Sequence, residues 1–257
     1  MHVLLVSNRK GGTGKTATVV NLSAEFSRRG YKVLLVDLDS QANATLGLGF
    51  EASKIQKSIH KFLSGELENL QEALLPTKWG NLFLLPGDPM FEHHQILEDS
   101  ERLRRALYEL SNFFDFVFID TAPSLDNLLV SALKTSHFVI IPFLPHYLSL
   151  EGIKSLVRVF FRVAVRDNTE LRLAGLLPVM FNPRLNQHRW VIEEIKKNFG
   201  EEKLLPSIRT DIKVAEAFQA HKPLLYYAPY SKALEDYKTL ADRLLEIILS
   251  YKISKNF

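Results

Sequence analysis

The sequence has no cysteine among its 257 residues. A chain without cysteine can form neither disulfide bonds nor thiolate metal sites, which excludes a bound iron–sulfur cluster. The sequence also has no apolar run near the roughly 20 residues that a membrane-spanning helix needs. It begins directly with an apolar segment, so we expect no secretory signal peptide. These absences predict a cytoplasmic protein.

The composition is that of an ordinary soluble protein, with 46% hydrophobic and 24% charged residues. Internal repeats, low-complexity tracts and linkers are all lacking. A chain of this length can bury a full core as one α/β domain. We therefore interpret residues 1–257 as a single domain.

The net charge of +3 is unevenly distributed. Residues 1–150 have 14 lysines and arginines against 16 acidic residues, whereas residues 151–222 have 13 against 9. Residues 223–257 have 5 against 4. The second half is thus where a polyanion would dock, although a solvated basic surface explains the excess equally well.

Residues 8–16 have the pattern of a phosphate-binding loop, reading N-R-K-G-G-T-G-K-T. They follow the apolar run 3–6 and precede a helical pattern that starts near Lys15. Glycines let several backbone N–H groups point at one centre, where the dipole of the following helix adds positive potential. Lys15 would reach the β- and γ-phosphates, and the Thr16 hydroxyl would bind Mg²⁺. The predicted nucleotide-binding residues of this loop are Lys10, Gly11, Gly12, Thr13, Gly14, Lys15, Thr16 and Ala17.

Carboxylates follow two other apolar segments. Residues 31–39 read as a strand that ends in Asp37 and Asp39, and residues 116–119 read as a strand followed by Asp120. Ligands of open α/β sheets bind at the carboxyl ends of the strands. A carboxylate there suits Mg²⁺, which keeps several of its waters. These segments predict a magnesium site beside the phosphate loop.

Strand and helix patterns alternate along the chain, which predicts a mostly parallel, doubly wound α/β sheet of about seven or eight strands with helices on both faces. The predicted strands are 2–7, 31–39, 82–87, 116–120, 137–142 and 171–179. The predicted helices are 15–29, parts of 53–75, 98–112, 152–166, 187–199 and 229–250.

Two further clusters allow an ordinary explanation. Lys154, Arg158, Arg162 and Arg166 form a basic stripe at i, i+4 spacing, which could follow DNA phosphates or be the wet face of a surface helix. The run 92–94, Glu-His-His, could suggest another metal site. Adjacent histidines on a helix point in different directions and no third ligand is evident, so we expect surface histidines.

The motifs resemble those of the ParA/MinD family of ATPases. Residues 10–16 are similar to its deviant Walker A box, K-G-G-x-G-K-T, and residues 36–45 to its V-D-x-D-P-Q-x-N-A-T segment, with Ser40 in place of the proline. Residues 120–124 resemble D-x-P-P-S, one proline short. Residues 147–152 match the Y-x-x-L-E-G signature of ParA proteins, for which we expect a place near the dimer face or the switch. The resemblance covers essentially the whole chain and indicates the short form without an N-terminal helix-turn-helix domain.

The resemblance implies an ATPase that binds ATP·Mg²⁺, forms a nucleotide-sandwich homodimer, binds DNA nonspecifically and hydrolyses ATP slowly until a ParB-like partner stimulates it. It implies a nucleoid-associated location. Lys10 would reach the ATP of the other subunit, and Asp39 would position the attacking water, with Asp37 nearer Mg²⁺. The implied metal set is Thr16, Asp37, Asp39 and Asp120. The implied base-binding residues are Asn182 and Pro206, and the implied DNA-binding residues are Arg184, Lys213, Arg158 and Arg162.

Three alternatives remain. A MinD-like membrane ATPase would need an amphipathic C-terminal helix, and the tail offers Leu249, Ile253 and Phe257 with few basic groups, so we expect no stable membrane binding. A nitrogenase-reductase-like enzyme would need cysteines, and a ligase of the dethiobiotin synthetase kind would need a substrate pocket that the sequence does not identify. The cargo could also be a protein assembly rather than plasmid or chromosomal DNA.

Overall fold

The computed structural model describes residues 1–91, 99–124 and 126–255, with side chains as far as residue 251. Its strands are β1 (His2–Val6), β2 (Val33–Asp37), β3 (Leu75–Pro76), β4 (Leu82–Leu85), β5 (Phe116–Asp120), β6 (Phe138–Phe143) and β7 (Arg172–Pro178). Its helices are α1 (Lys15–Arg28), α2 (Asn43–Gly47), α3 (Ile59–Ser64), α4 (Arg102–Glu109), α5 (Asn127–Thr135), α6 (Ser149–Arg166), α7 (Asn186–Phe199), α8 (Ile212–Gln219), α9 (Leu224–Tyr227) and α10 (Lys232–Lys255). Short 3₁₀ helices cover Ala52–Lys54, Leu70–Ala73 and Glu201–Lys203.

The strands form one seven-stranded sheet in the order β3-β4-β2-β5-β1-β6-β7. Only the pairing of β3 with β4, at one edge, is antiparallel among the described strands. The prediction of a mostly parallel α/β sheet is therefore confirmed.

Helices cover both faces of the sheet. Because successive side chains of a strand point to opposite faces, Val3 and Leu5 pack into one core with residues of α4 to α7. Leu4 and Val6 pack into the other core with residues of α1 and α10. Burial on both faces explains why β1, β2 and β5 are nearly continuous apolar runs.

The register of the central strands positions the predicted site. Val6 of β1 and Asp37 of β2 both pair with Asp120 of β5. The three strands thus end level with one another, at the edge from which the loop after β1 starts. Both carboxylates and the glycine-rich loop meet there, as the sequence predicted.

Several boundaries differ from the prediction. Of the predicted helical stretch 53–75, only α3 is an α-helix; the Ser58 side chain caps its start and Gly65, with φ +87°, ends it. The two-residue strand β3 is too short to show an alternating pattern. Helix α6 starts at Ser149, three residues earlier than predicted, and α10 runs on to Lys255.

Two expectations from the sequence concern membrane-spanning helices and a histidine metal site. None of the described helices is both long enough and apolar enough to cross a bilayer. The described residues also include no group of three or more histidine, aspartate or glutamate side chains placed to hold a metal ion. The predicted surface histidines at 93 and 94 lie outside the described residues.

Gly175 lies at the irregular pairing of β6 with β7, and a Cβ there would come within 2.7 Å of both Leu205 Cγ and the Lys203 carbonyl oxygen. We predict that Gly175→Ala lowers the free energy of unfolding by about 1–3 kcal/mol, because the neighbouring chain must shift. Urea unfolding measures this. In the control Gly152→Ala, on α6, the new Cβ meets nothing within 4 Å, so stability should rise slightly or stay the same. Equal losses in both variants would contradict the prediction.

Candidate active site

The loop between β1 and α1 is held in shape by hydrogen bonds of its own side chains. The Asn8 amide donates to the Pro142 carbonyl oxygen (2.6 Å), and its Oδ1 accepts from the Lys10 N–H (3.0 Å). The Thr13 hydroxyl donates to the Lys10 carbonyl oxygen (3.1 Å). Asn8 was missed in the sequence analysis because its partner Pro142 is 134 residues away. These bonds hold the loop in shape without using the N–H groups at the start of α1.

Gly12 and Gly14 require glycine for conformational reasons. Their φ values are +71° and +73°, in the left-handed region where a Cβ is unfavourable. Gly14 is the N-cap of α1 and has no side-chain cap, so no side chain covers the helix start. An exposed set of N–H groups at the positive end of a helix dipole is suited to bind phosphate.

Lys15 projects from the start of α1 into a cluster of carboxylates and is only 7% exposed. Burial lowers the pKa of Lys15, while the charges of Asp120 and Asp39 oppose that shift. The two lysines of the loop therefore differ: Lys15 is buried, and Lys10 is exposed to solvent.

Asp120 has one oxygen engaged and one free of hydrogen bonds. The Thr16 hydroxyl donates to Asp120 Oδ2 (2.7 Å), whereas Oδ1 is buried with no hydrogen-bond partner among the described residues. Burial raises the pKa of Asp120, and the negative charge of Asp37 raises it further. A divalent cation supplies the missing positive charge and a use for that oxygen, so the residues present fit Mg²⁺ held by Thr16 and, through water, Asp120.

Asp37 is fully buried beside Asp120, and its carboxylate accepts hydrogen bonds from the protein itself. Asp37 Oδ2 accepts from the Thr45 N–H (2.8 Å) and hydroxyl (2.7 Å), and Oδ1 accepts from the Asp39 N–H (3.3 Å). Burial raises the pKa of Asp37 to about 7 despite these bonds. Asp37 therefore ties the segment after β2 together, and its role toward Mg²⁺ stays a prediction. Thr45 was missed as a site residue.

Asp39 lies next to the hydrogen bonds of Asp37 and close to Lys15. Its Oδ1 accepts from the Gln41 N–H (2.9 Å), and its carbonyl oxygen accepts from the N–H of Ala42, whose φ is +52°. The left-handed turn at Ala42 reverses the chain directly after Asp39 and starts α2. The structure thus brings Lys15, Thr16, Asp37, Asp39 and Asp120 together, as the motifs indicated.

Two adjacent cavities lie beyond the start of α1, where a base could bind. The first, about 480 Å³, is mainly apolar and includes Gly14 and the predicted Ala17. Its other apolar lining residues are Val179, Met180, Ile208, Ile212, Val214, Ala215 and Phe218. These residues were not predicted, because no local pattern relates β7 and α8 to the start of α1.

Asn182 lines the second cavity, of about 540 Å³, which shares Arg209 and Thr210 with the first. Pro206 lines neither cavity, although its neighbour Ser207 lines the second. The Asn182 N–H donates to His188 Nδ1 (3.1 Å). Burial lowers the pKa of His188, and His146 lowers it further, so the ring stays neutral and can accept this bond. His188 thereby fixes the loop that presents Asn182.

The predicted DNA-binding residues are all exposed, but they differ in their partners. Arg158 and Arg162 lie on the open face of α6 and form no ion pair with other described residues. Lys213, in contrast, pairs with Glu216 at 2.7 Å. Arg184 is exposed and lines the Asn182 cavity. The structure therefore leaves three of these four cations without an acidic partner in its described part.

Lys10 lies beside the start of α6. A shallow cavity of about 330 Å³ is lined by Arg9, Lys10, Glu151, Gly152 and Ser155, and the Arg9 guanidinium donates to the Ser155 hydroxyl. Tyr147 and Leu148, just before α6, are 62% and 69% exposed. The Y-x-x-L-E-G segment thus adjoins the phosphate loop on an accessible surface.

Residues 1–173 match the model of a protein family described as an AAA domain. The sporulation initiation inhibitor protein Soj of Bacillus subtilis is 34% identical to this chain, over 93% of this chain and 96% of Soj. The chromosome-partitioning ATPase Soj of Thermus thermophilus is also 34% identical, over 94% of both chains. These relatives match nearly the whole length of the chain.

Solved structures with a bound nucleotide also match the chain over nearly its whole length. The chain is similar to cobyrinic acid a,c-diamide synthase from Mycobacterium smegmatis with bound ADP and magnesium (TM-score 0.76, 31% identity, 95% of this chain and 94% of that one). It is also similar to the septum site-determining protein MinD of Pyrococcus horikoshii complexed with Mg-ADP (TM-score 0.79, 25% identity, 95% of both chains). Together with the phosphate loop, the buried lysine and the carboxylates around Thr16, these matches show an ATPase that acts with ATP and Mg²⁺ in partition or positioning. The chain therefore belongs to the ParA/MinD family of P-loop ATPases and is Soj-like.

Proposed function

We propose that this ATPase forms an ATP-dependent homodimer that binds DNA without sequence preference, and that a ParB-like activator releases it by stimulating hydrolysis. The whole chain, 1–257, would act as one ATPase domain. The name of its Thermus thermophilus relative, a chromosome-partitioning ATPase, supports chromosomal DNA as the cargo. The observation that carries the proposal is the exposure of Lys10 in a loop whose other lysine is buried.

The two lysines have separate uses in this proposal. Lys15 lies among the carboxylates of its own subunit and would compensate phosphate charge there. Lys10 is exposed and forms no ion pair with the other described residues, so its ammonium is available to a second copy. A nucleotide contacted by Lys10 of the partner subunit would join the two subunits. Nucleotide state would then control dimerisation.

Dimerisation would in turn control DNA binding. The log of DNA affinity falls by about 0.9 per neutralised phosphate for each decade of salt, so binding strength depends steeply on the number of contacts. Arg158, Arg162 and Arg184 are exposed and form no ion pair within the described part of the chain, whereas Lys213 would first have to break its ion pair with Glu216. A dimer doubles this set. Retention on DNA in the ATP state would make the protein cytoplasmic and nucleoid-associated.

The rate of ATP hydrolysis would determine how long the dimer stays on DNA. Bound Mg²⁺ would neutralise charge on the phosphates, as in other P-loop ATPases. The family resemblance implies that Asp39 orients the attacking water. Its side chain bonds to the Gln41 N–H, whereas Asp37 and Asp120 accept from Thr45 and Thr16. Ser40 follows it in place of the family's proline, which leaves the backbone there less constrained.

A MinD-like membrane role is the alternative. Leu249, on α10, is 57% exposed, whereas the side chains of Ile253 and Phe257 lie outside the described residues. Co-sedimentation with liposomes or with DNA, each with ATP and Mg²⁺, separates the two. Sedimentation with DNA alone supports the proposal, and sedimentation with liposomes alone overturns it.

We predict that Lys15→Ala abolishes ATP binding, with a loss of about a hundredfold or more, because each charge-assisted hydrogen bond contributes about 1.5–3 kcal/mol. Lys10→Ala should instead keep ATP binding and lose ATP-dependent dimerisation. Calorimetry measures the first effect and light scattering the second. An ATP-dependent dimer of the Lys10 variant at wild-type concentrations would contradict the trans contact.

We predict that Asp39→Ala still binds ATP but accumulates as a DNA-bound dimer, because the water is no longer positioned. Phosphate release and a nonspecific DNA gel shift with ATP measure this. Normal turnover in the variant would show that Asp39 does not position the water.

We predict that Arg184→Glu with Lys213→Glu keeps ATP-dependent dimerisation and weakens DNA binding by about tenfold or more at moderate salt. The matched control is Lys54→Glu with Lys57→Glu, which makes the same charge change on exposed residues of the acidic half. Equal loss in both double variants would indicate a net-charge effect. Unchanged gel shifts in the first would move the DNA surface to Arg158 and Arg162.

A further inference from the structure

Behind the segment that carries Asp39 lies a brace, which we define as residues 58–60 at the start of α3 together with residues 86–88 after β4. The two parts are joined to each other: the Ile59 N–H donates to the Pro86 carbonyl oxygen (3.0 Å). The Ser58 side chain caps α3 and fixes its first turn. The brace comes from parts of the chain to which neither the motifs nor the relatives' names assign a function.

His60 connects the brace to the segment after β2. Its side chain is fully buried, with Nε2 3.3 Å from the Leu38 carbonyl oxygen, and Nδ1 accepts from the Asp88 N–H (3.0 Å). The ring packs against Phe91 at 4.5 Å between centroids. An imidazole is therefore held between the residue that precedes Asp39 and the loop after β4.

The two neighbours of the ring determine its tautomer. A backbone N–H can only donate, so Nδ1 of His60 must be unprotonated toward Asp88. A carbonyl oxygen can only accept, so Nε2 must bear the proton that it donates to Leu38. His60 thus makes two distinct hydrogen bonds. We call the bond that it accepts from Asp88 the acceptor arm and the bond that it donates to Leu38 the donor arm.

The brace also contacts Asp39 and Asp37 by other routes. The Gly87 N–H donates to the Thr45 hydroxyl (3.0 Å), which itself donates to Asp37. A Cβ on Gly87 would lie 2.9 Å from the Asp39 carbonyl oxygen, so the backbones already approach as closely as they can. Residues 86–88 therefore limit how far the segment after β2 can move.

The donor arm acts on the peptide group that leads into Asp39. The Leu38 carbonyl and the Asp39 N–H belong to one planar unit, so holding the carbonyl fixes the direction in which the chain enters Asp39. The Leu38 N–H is held separately, by the Asp120 carbonyl oxygen (3.0 Å). With both ends of Leu38 fixed, the Asp39 side chain starts from a defined place.

We propose that His60 is a positioning residue that holds Asp39 in its working orientation through the Leu38 carbonyl. This inference rests on the proposed role of Asp39 in orienting water. A displacement of the order of 1 Å at a reacting group can lower a rate by about a hundredfold. Loss of the donor arm therefore acts on the rate of hydrolysis and not on the binding of ATP.

Two substitutions separate the arms. His60→Asn places an amide oxygen near the position of Nδ1, which keeps the acceptor arm and removes the donor arm. His60→Gln places an amide N–H near the position of Nε2, which keeps the donor arm and removes the acceptor arm. A merely structural histidine would lose stability in both variants, with no difference in rate between the folded proteins.

The experiment measures single-turnover hydrolysis of Mg·ATP and the KM for ATP, each normalised to the folded fraction. His60→Asn should lower the rate about tenfold or more at unchanged KM, while His60→Gln keeps most of it. Gly87→Ala, which pushes on the Asp39 carbonyl with His60 intact, should lower the rate in the same way. Asn168→Ala, which removes a buried amide bonded to the Leu133 and Ser136 carbonyls, is the control and should change stability alone.

Equal rates in His60→Asn, His60→Gln and wild type would overturn the inference, as would a loss confined to KM. If His60→Asn does not fold, an undiminished rate in Gly87→Ala overturns it instead. Asp39→Ala is measured alongside. Normal turnover in Asp39→Ala defeats the proposed function, whereas an inactive Asp39→Ala beside a fully active His60→Asn defeats only the role of His60.

Discussion

Three carboxylates and one ammonium are buried together at the carboxyl edge of the sheet, and the rest of the site depends on that imbalance. Burial raises the pKa values of Asp37 and Asp120 and lowers that of Lys15, so burial disfavours the charged form of each of these three groups. Within the part of the chain that the structure describes, one oxygen of Asp120 has no hydrogen-bond partner. A divalent cation with a polyphosphate would relieve both conditions at once, since the cation would offset the negative charge beside Asp120 and the phosphates would pair with Lys15. The site thus has an excess of buried negative charge beside Lys15, which bound Mg·ATP would compensate.

The sheet topology brings these charged groups together. β1 lies between β5 and β6, so the phosphate loop leaves the sheet between the carboxyl ends of these two strands. The in-register pairs Val6–Asp120 and Asp37–Asp120 then place the acidic residues level with the loop. The same edge receives the loops after β4, β6 and β7. Those loops supply residues 86–88 of the brace, the residues that lead into α6, and the loop with Asn182.

Histidine connects these outlying loops in two places, and in both the ring accepts from a backbone N–H through Nδ1. His60 links α3 to Asp88 and Leu38, and His188 links α7 to Asn182. Each holds a loop whose own residues lack regular hydrogen bonds, which is what a site assembled from loops on a rigid sheet requires. Positioning is therefore spread well beyond the motif residues.

The sequence by itself determined the parts of this protein that are contiguous in the chain. The glycine spacing of residues 10–16, the apolar strands ending in Asp37 and Asp120, and the alternation of strands with helices are local patterns, and each predicted its structure correctly. The tertiary structure decided what depends on pairs distant in the chain: Asn8 with Pro142, Asp37 with Thr45 and Gly87, His60 with Leu38, and the apolar cavity between α1 and α8. A backbone carbonyl or N–H is present at every residue, so nothing in the local sequence marks which one a distant side chain will bind. Only the packing of strands and helices brings those groups within hydrogen-bonding distance.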